Sequence, residues 1–260
     1  MNLVPVIGVA IVNGFHWLQR LVDSVDYPVD NFVIFNNNGK GELTEDLDNL
    51  VKQSHPYINN IVVCHMPTNI GCGGAWNLII KSYMNAPYWI ISSHDTAFVP
   101  GLLEEMVETA SDPEVGMVHP NGGDFNDGSY DLFLIKDWVV QSHGLFDENL
   151  YPAYCEDVDY IIRVRNKPFK RVTNLSKIHL HGDGYATEYY TFGAQTKRTS
   201  PELNKRLDDI NETNFIYMNE KWGEGWRMLN PWKHPLNKVN IPIDYTTYDL
   251  EFVRSKNLGF

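Results

Sequence analysis

The sequence predicts an α/β fold, with a mostly parallel, twisted sheet flanked by helices and an irregular C-terminal extension. Over the first 120 residues, short β-branched or aromatic runs alternate with stretches whose apolar residues recur at helical spacing. The strand-like runs end in small, polar, turn-forming residues. From about Trp222 the alternation gives way to a stretch rich in Trp, Pro, Asn and Tyr, which predicts extended structure wrapping the domain or a lid on the acceptor side.

Val6–Val12 is the first strand, and Phe32–Phe35, Ile61–Cys64, Tyr88–Ser92 and Gly116–His119 follow it. Leu18, Leu21, Val22 and Val25 mark a first helix between them, and Leu43, Leu47, Leu50 and Val51 a second. Gly74–Tyr83 reads as a third, and Leu102–Ala110, opened by Pro100, as a fourth. Such alternation places helices on both faces of a parallel sheet, with ligands outside the carboxyl ends of the strands. Beyond residue 120, a Gly/Asn/Asp loop at Asn121–Tyr130 leads to the apolar run Leu132–Ile135 and a helix from Asp137. Glu156–Arg165 is a short acidic helix, and Arg171–Asn174 and Lys177–His181 read as strands.

At 260 residues, 43% hydrophobic and 21% charged, the chain fits one large domain with a full core, or one domain with an appended piece. A net charge of −12 argues against nucleic-acid binding, which needs a dense basic face. It also means that a bound diphosphate needs either a local basic cluster or a divalent cation to offset repulsion. The 3 cysteines, Cys64, Cys72 and Cys155, lack metal-ligand spacing and fit reduced thiols in a cytoplasmic protein. No apolar run approaches a membrane span, and residues 1–12 lack the basic start of a signal peptide. The sequons at Asn174 and Asn211 read as chance matches.

The strand ends are Asn13-Gly14, Asn36-Asn37-Asn38-Gly39, Thr68-Asn69-Ile70-Gly71 and Ser93-His94-Asp95-Thr96. Asn and Gly end strands well on their own account, but their recurrence at successive ends points to one crevice. Glu156-Asp157-Val158-Asp159 places three acids in one helical turn. The helix dipole accounts for one or two of them, and desolvation among aromatic neighbours would tune a carboxylate towards general-base work. Asp95, beside hydroxyls at a strand end, suits a divalent cation. His179 and His181 share one face of a strand, with Ile178 and Leu180 on the other. A carboxylate and an imidazole suit Mn²⁺ or Mg²⁺ completed by phosphate and water.

The order and spacing of these segments resemble family-2-type glycosyltransferases of the GT-A (Rossmann-like) fold, the rhamnosyltransferase-like members in particular. The resemblance runs through Ile11-Val12-Asn13, Phe35-Asn36-Asn37-Asn38, Asn69-Ile70-Gly71 with Asn77, and His94-Asp95-Thr96. It continues through Gly144-Leu145-Phe146-Asp147-Glu148, Cys155–Tyr160 with Arg163, and Tyr217 with Trp222-Gly223. It implies a catalytic domain over 1–222, with a nucleotide-sugar half to about residue 120 and an acceptor half after it, and an extension over 223–260. Val12, Asn13, Asn36, Asn37, Asn38, Asn69, Gly71, Gly74, Asn77, His94 and Asp95 would hold the nucleotide sugar. Asp95 and His181 would bind Mn²⁺ or Mg²⁺. Asp157 would be the base of an inverting transfer to a glycan or glycoconjugate hydroxyl, and Glu156 would act beside it. Asp159 and Arg163 would orient acceptor or sugar. Ser93 replaces the first Asp of the metal motif, and Asn36 replaces the Asp that commonly reads the base, which leaves uracil, thymine and guanine open.

A dehydrogenase is disfavoured because the first turn, Val12-Asn13-Gly14-Phe15, lacks Gly-x-Gly-x-x-Gly. A nucleotidyltransferase would need a basic residue in an early Gly-rich loop. A non-catalytic glycan-binding protein on the same fold is the remaining alternative, with 7 Trp and 14 Tyr available for stacking on sugars.

Overall fold

A computed structural model describes residues 3–122, 127–166, 168–185, 195, 205 and 214–223. The expected extension over 223–260, Gly223 apart, lies outside them. Nine segments build the first half: β1 (Val4–Ile11), α1 (Phe15–Asp23), β2 (Val29–Asn36), α2 (Thr44–Val51), β3 (Ile58–His65), α3 (Cys72–Ser82), β4 (Tyr88–Ser93), β5 (Thr96–Ala97) and α4 (Leu102–Ala110). There follow β6 (Val115–Val118), β7 (Leu132–Lys136), α5 (Asp137–His143), α6 (Glu156–Asn166), β8 (Lys170–Val172), β9 (Leu180–His181) and β10 (Gly184–Tyr185). A further helical segment spans 214–222.

The main sheet has seven strands in the order β3-β2-β1-β4-β7-β6-β8. β1 to β4 run parallel, joined by helical crossovers, and β6 runs parallel to β8. β7 alone is reversed, antiparallel to both β4 and β6. The residues described between β6 and β7 include no helix, and an antiparallel pair does not need a helical crossover. The arrangement agrees with the mostly parallel sheet expected from the sequence.

Alternation along the strands divides the core between two faces. Phe32 and Ile34 of β2, Ile90 of β4 and Leu132 and Leu134 of β7 pack with α1, α2 and α4. Val33, Phe35, Trp89, Ile91, Phe133 and Ile135 pack on the other side with Trp76 and Ile79 of α3, Val139 and Val140 of α5, and Tyr160 of α6. The sheet meets α3 so closely at Gly8 that a Cβ there would lie 2.3 Å from Ile79 Cγ2. A small second sheet, β10-β9-β5, sits beyond the end of β4 and carries His181. No helix among the described residues is long and apolar enough to cross a membrane.

Candidate active site

Strand register brings Ile11, Asn36 and His65 side by side and sets Ala10 against Ser93, so the turns after β1 to β4 open on one region. A cavity of about 290 Å³ lies there. Val12, Asn37 and Asn69 line it from the strand-end turns, and His94, Asp95, Asp131 and His181 from beyond β4. Tyr154, Glu156 and Asp157 line it from the start of α6.

The asparagines after β2 knit these turns together. Asn37 Nδ2 donates to Asn69 Oδ1 at 3.0 Å, and Asn37 Oδ1 accepts from the Ile70 N–H at 2.8 Å. Asn38 Nδ2 donates to the Val12 carbonyl at 2.7 Å, and Asn36 Nδ2 lies 3.0 Å from His65 Nδ1. Asn77 is fully buried, and its amide bonds the Phe146 N–H and carbonyl, each at 2.8 Å. Asn13, Asn36, Asn38, Gly71, Gly74 and Asn77 do not line the cavity, whereas Val12, Asn37, Asn69, His94 and Asp95 do.

Among the described residues, Asp131, His179 and His181 form a buried group that could hold a metal ion, with one ligand atom from each within 4.8 Å of the others. Asp131 Oδ2 is 3.0 Å from both His179 Nε2 and His181 Nδ1. Neither Asp131 Oδ2 nor His179 Nε2 makes a hydrogen bond of good geometry. Neighbouring ligands on an ion at about 2.1 Å stand about 3 Å apart, so this donor set fits a divalent cation. The other ring nitrogen of His181 lies 3.4 Å from Asp95 Oδ1, so Asp95, expected as a metal ligand beside His181, meets that ring on the side away from Asp131 and His179. Burial works against a charged His181, yet Asp131 and Asp95 outweigh it and raise the ring to about 10. Burial likewise opposes ionisation of Asp95, but His181, His94 and the Gln195 N–H hold its carboxyl well below the usual range.

Glu156 and Asp157 sit side by side at the start of α6 but in different surroundings. Glu156 is buried, and burial together with the adjacent Asp157 charge pushes it up to about 8. The Cys72 thiol is hydrogen-bonded to it and is itself pushed up by burial and by that carboxyl. Asp157 is half-buried, with Oδ1 accepting from the Val158 N–H at 2.7 Å. The turn before them is unusual, because Tyr154 and Cys155 take φ 76° and 74° in succession. Each such non-glycine residue costs on the order of 1–2 kcal/mol and persists only where its surroundings enforce it.

A proton held by folded Glu156 but released by the unfolded chain gives a definite pH signature. Between the ordinary carboxyl value of 4.5 and about 8, the folded state binds more protons, so this group's contribution to stability falls as pH rises. Glu156→Gln should match the parent near pH 4 and exceed it near pH 8.5 by a few kcal/mol, at about 1.4 kcal/mol per pKa unit. Urea titrations at the two pH values check this, and a pH-independent difference would contradict it.

Asp159 and Arg163 do not line the cavity. Asp159 Oδ1 meets Lys221 Nζ at 2.7 Å and Trp222 Nε1 at 2.8 Å, while its Oδ2 accepts from Arg163 Nε at 2.9 Å. Lys221, itself buried, also reaches Asp147 Oδ2 at 2.6 Å, where Tyr217 OH donates at 2.7 Å. The Phe-Asp-Glu, Glu-Asp-x-Asp and Lys-Trp-Gly segments thus meet in one buried ion network that fastens the 214–222 segment to α6. Gly223 ends that segment at φ 89°, its N–H donating to the Asn219 carbonyl. Sequence reasoning missed Asp131 and Lys221. An acid opening an apolar strand and a lone lysine before Trp-Gly carry little signal by themselves.

Comparison with known proteins agrees with the fold. A galactofuranosyl glycosyltransferase of Leishmania donovani is 22% identical over 226 residues, 62% of this chain and 52% of the relative. This chain therefore spans about half the length of that relative. The structure of residues 1–349 of S. aureus TarS in complex with UDP-GlcNAc superposes with a TM-score of 0.53 at 12% identity, covering 70% of this chain and 57% of that TarS fragment. That of GalNAc-T7 with UDP, GalNAc and Mn²⁺ gives 0.52 at 15% identity, covering 65% of this chain and 42% of GalNAc-T7. Both are GT-A glycosyltransferases, and the likeness extends to the fold. Residues 6–180 match the pattern of glycosyl transferase family 2, and the chain belongs to that family.

Proposed function

We propose that the chain transfers a sugar from a nucleoside diphosphate sugar to a hydroxyl of a glycan or other acceptor, with inversion and with Mn²⁺ or Mg²⁺ assisting. The observation that carries this reading is one cavity lined both by Asp95, Asp131 and His181 and by Glu156 and Asp157. The proposed cation donors are Asp131, His179 and His181 through Nδ1, while Asp95, at the opposite ring nitrogen of His181, would orient that ring. A cation held there would neutralise the diphosphate, offsetting the repulsion expected from a chain of charge −12.

Asp157 accepts the acceptor's proton as the hydroxyl oxygen bonds to the anomeric carbon, and the bond from that carbon to the diphosphate oxygen breaks with its electron pair. Glu156 keeps its proton near neutral pH and so does not compete for the acceptor's. Val12, Asn37, Asn69 and His94 line the nucleotide side, supported by Asn13, Asn36, Asn38, Gly71, Gly74 and Asn77. Asp159 and Arg163 set α6 from behind, and any orientation of acceptor or sugar acts through that helix. Residues 1–222 form the catalytic domain in this reading, with nucleotide and acceptor halves meeting near residue 120.

UDP appears with both TarS and GalNAc-T7, so UDP sugars are the first donors to test, ahead of dTDP and GDP sugars. Thermal shift across such a panel, with and without Mn²⁺, should give a rise of several degrees for one nucleotide class only when the cation is present. Sugar transfer or slow donor hydrolysis should accompany it. No shift and no turnover with any donor would defeat the proposal, and binding without turnover would favour a non-catalytic protein.

A further inference from the structure

The left-handed pair Tyr154-Cys155 immediately precedes Glu156 and Asp157, so its conformation sets where both carboxylates enter the cavity. Rotation about φ of one residue turns the peptide plane that carries the carbonyl of the residue before it. The φ angles of Tyr154 and Cys155 therefore orient the carbonyls of Ala153 and Tyr154. These two carbonyls are held by one side chain from far along the sequence. Asn214 Nδ2 donates to Ala153 O at 2.9 Å and to Tyr154 O at 3.1 Å. Asn214 is buried, and two carbonyl acceptors at one nitrogen fix which way its amide faces.

The rest of the 214–222 segment reinforces this hold. Met218 and Trp222 pack with Cys155, Leu150 and Ile162, and Lys221 and Trp222 grip Asp159 one turn into α6. The segment thus touches the chain on both sides of Glu156 and Asp157. Relaxation of Tyr154 or Cys155 to the right-handed region would swing the two carbonyls away from Asn214, so these hydrogen bonds favour the left-handed conformer selectively.

We propose that Asn214 is a positioning residue: it holds the Tyr154-Cys155 turn that aims Glu156 and Asp157 into the cavity. The inference rests on the proposed transfer for its kinetic consequence and on the turn alone for its structural one.

The test uses the full chain. Asn214→Asp keeps the shape but presents oxygen in place of the donor, so both carbonyl contacts become repulsive. Its kcat should fall about 10- to 100-fold while donor KM stays within about twofold, as expected when a supporting group misplaces a reacting one. Maleimide labelling of Cys155, resolved from Cys64 and Cys72 by peptide mass spectrometry, should accelerate at least about tenfold as the turn opens. Rescue supplies the check that a merely stabilising role would not pass. Tyr154→Gly adopts positive φ without strain, so Asn214→Ala should lower kcat less in that background than in the parent.

Unchanged kcat and labelling in Asn214→Asp would overturn the proposal. So would strictly additive effects in the double variant with Cys155 still protected. If the parent chain transfers no sugar from any donor, the functional proposal fails by itself. Labelling then decides the rest: faster reaction at Cys155 keeps Asn214 as the holder of the turn, and no change removes it.

Discussion

Asp157→Asn should lower turnover by about 10²–10⁴-fold while leaving nucleotide-sugar affinity close to that of the parent. The substitution is nearly isosteric, and the side-chain oxygen that accepts from the Val158 N–H can remain in place. What disappears is the capacity to take the acceptor's proton. Glu156 is a poor substitute, since burial keeps its proton on until about pH 8. An effect confined to kcat, with donor binding intact by calorimetry, would identify a group that acts in the transition state. NMR of the product should show the anomeric configuration opposite to the donor's. Near-normal turnover in the Asn variant, or a retained configuration, would contradict the assignment.

The second large effect concerns the cation. EDTA should abolish transfer, and Mn²⁺ or Mg²⁺ should restore it. Asp131→Asn is the sharper probe, because Asp131 Oδ1 is committed to Ser129 Oγ and the Leu132 N–H, contacts an amide oxygen can keep. Its amide nitrogen would then replace Oδ2 opposite His179 and His181, where it cannot coordinate a metal. Cation affinity, measured by titration calorimetry, should fall at least about 100-fold, with circular dichroism unchanged. Asp95→Ala should weaken donor binding through the same charge imbalance. Full transfer in EDTA, with donor affinity unchanged in both variants, would remove the metal from the mechanism.

The sequence made most of the first half legible because each strand and helix there carries its own period. Phe32 to Phe35 alternate between two cores, and Leu18, Leu21 and Val22 fall on one helical face, so tertiary packing confirmed the local pattern. Asn77 shows where that logic stops. A buried polar residue near a Gly-rich turn reads the same whether it serves a ligand or, as its bonds to Phe146 indicate, a neighbouring loop. The Glu-Asp-x-Asp series shows it again: Glu156 and Asp157 line the cavity, but Asp159 neutralises Lys221 and Arg163 behind it. Lys221 and Asn214 were illegible because their partners lie more than fifty residues away, and no local period encodes such a meeting.

Strand β9 is only two residues long, yet its pairing opposite β5, with His181 against Thr96 and Leu180 against Ala97, determines which side chains face Asp131. Odd and even positions of a strand point to opposite sides, so a slip of one residue would present Leu180 to that carboxylate and turn His181 away. Surface connections usually absorb inserted or deleted residues freely. The chain from β8 to β9 is irregular over 173–179 and has that freedom only until β9 begins. A change of length that propagates into β9 by an odd number exchanges a cation site for an apolar patch, whereas an even one preserves the parity. Homologues that keep the histidines should therefore confine any odd change of length to the irregular residues before β9.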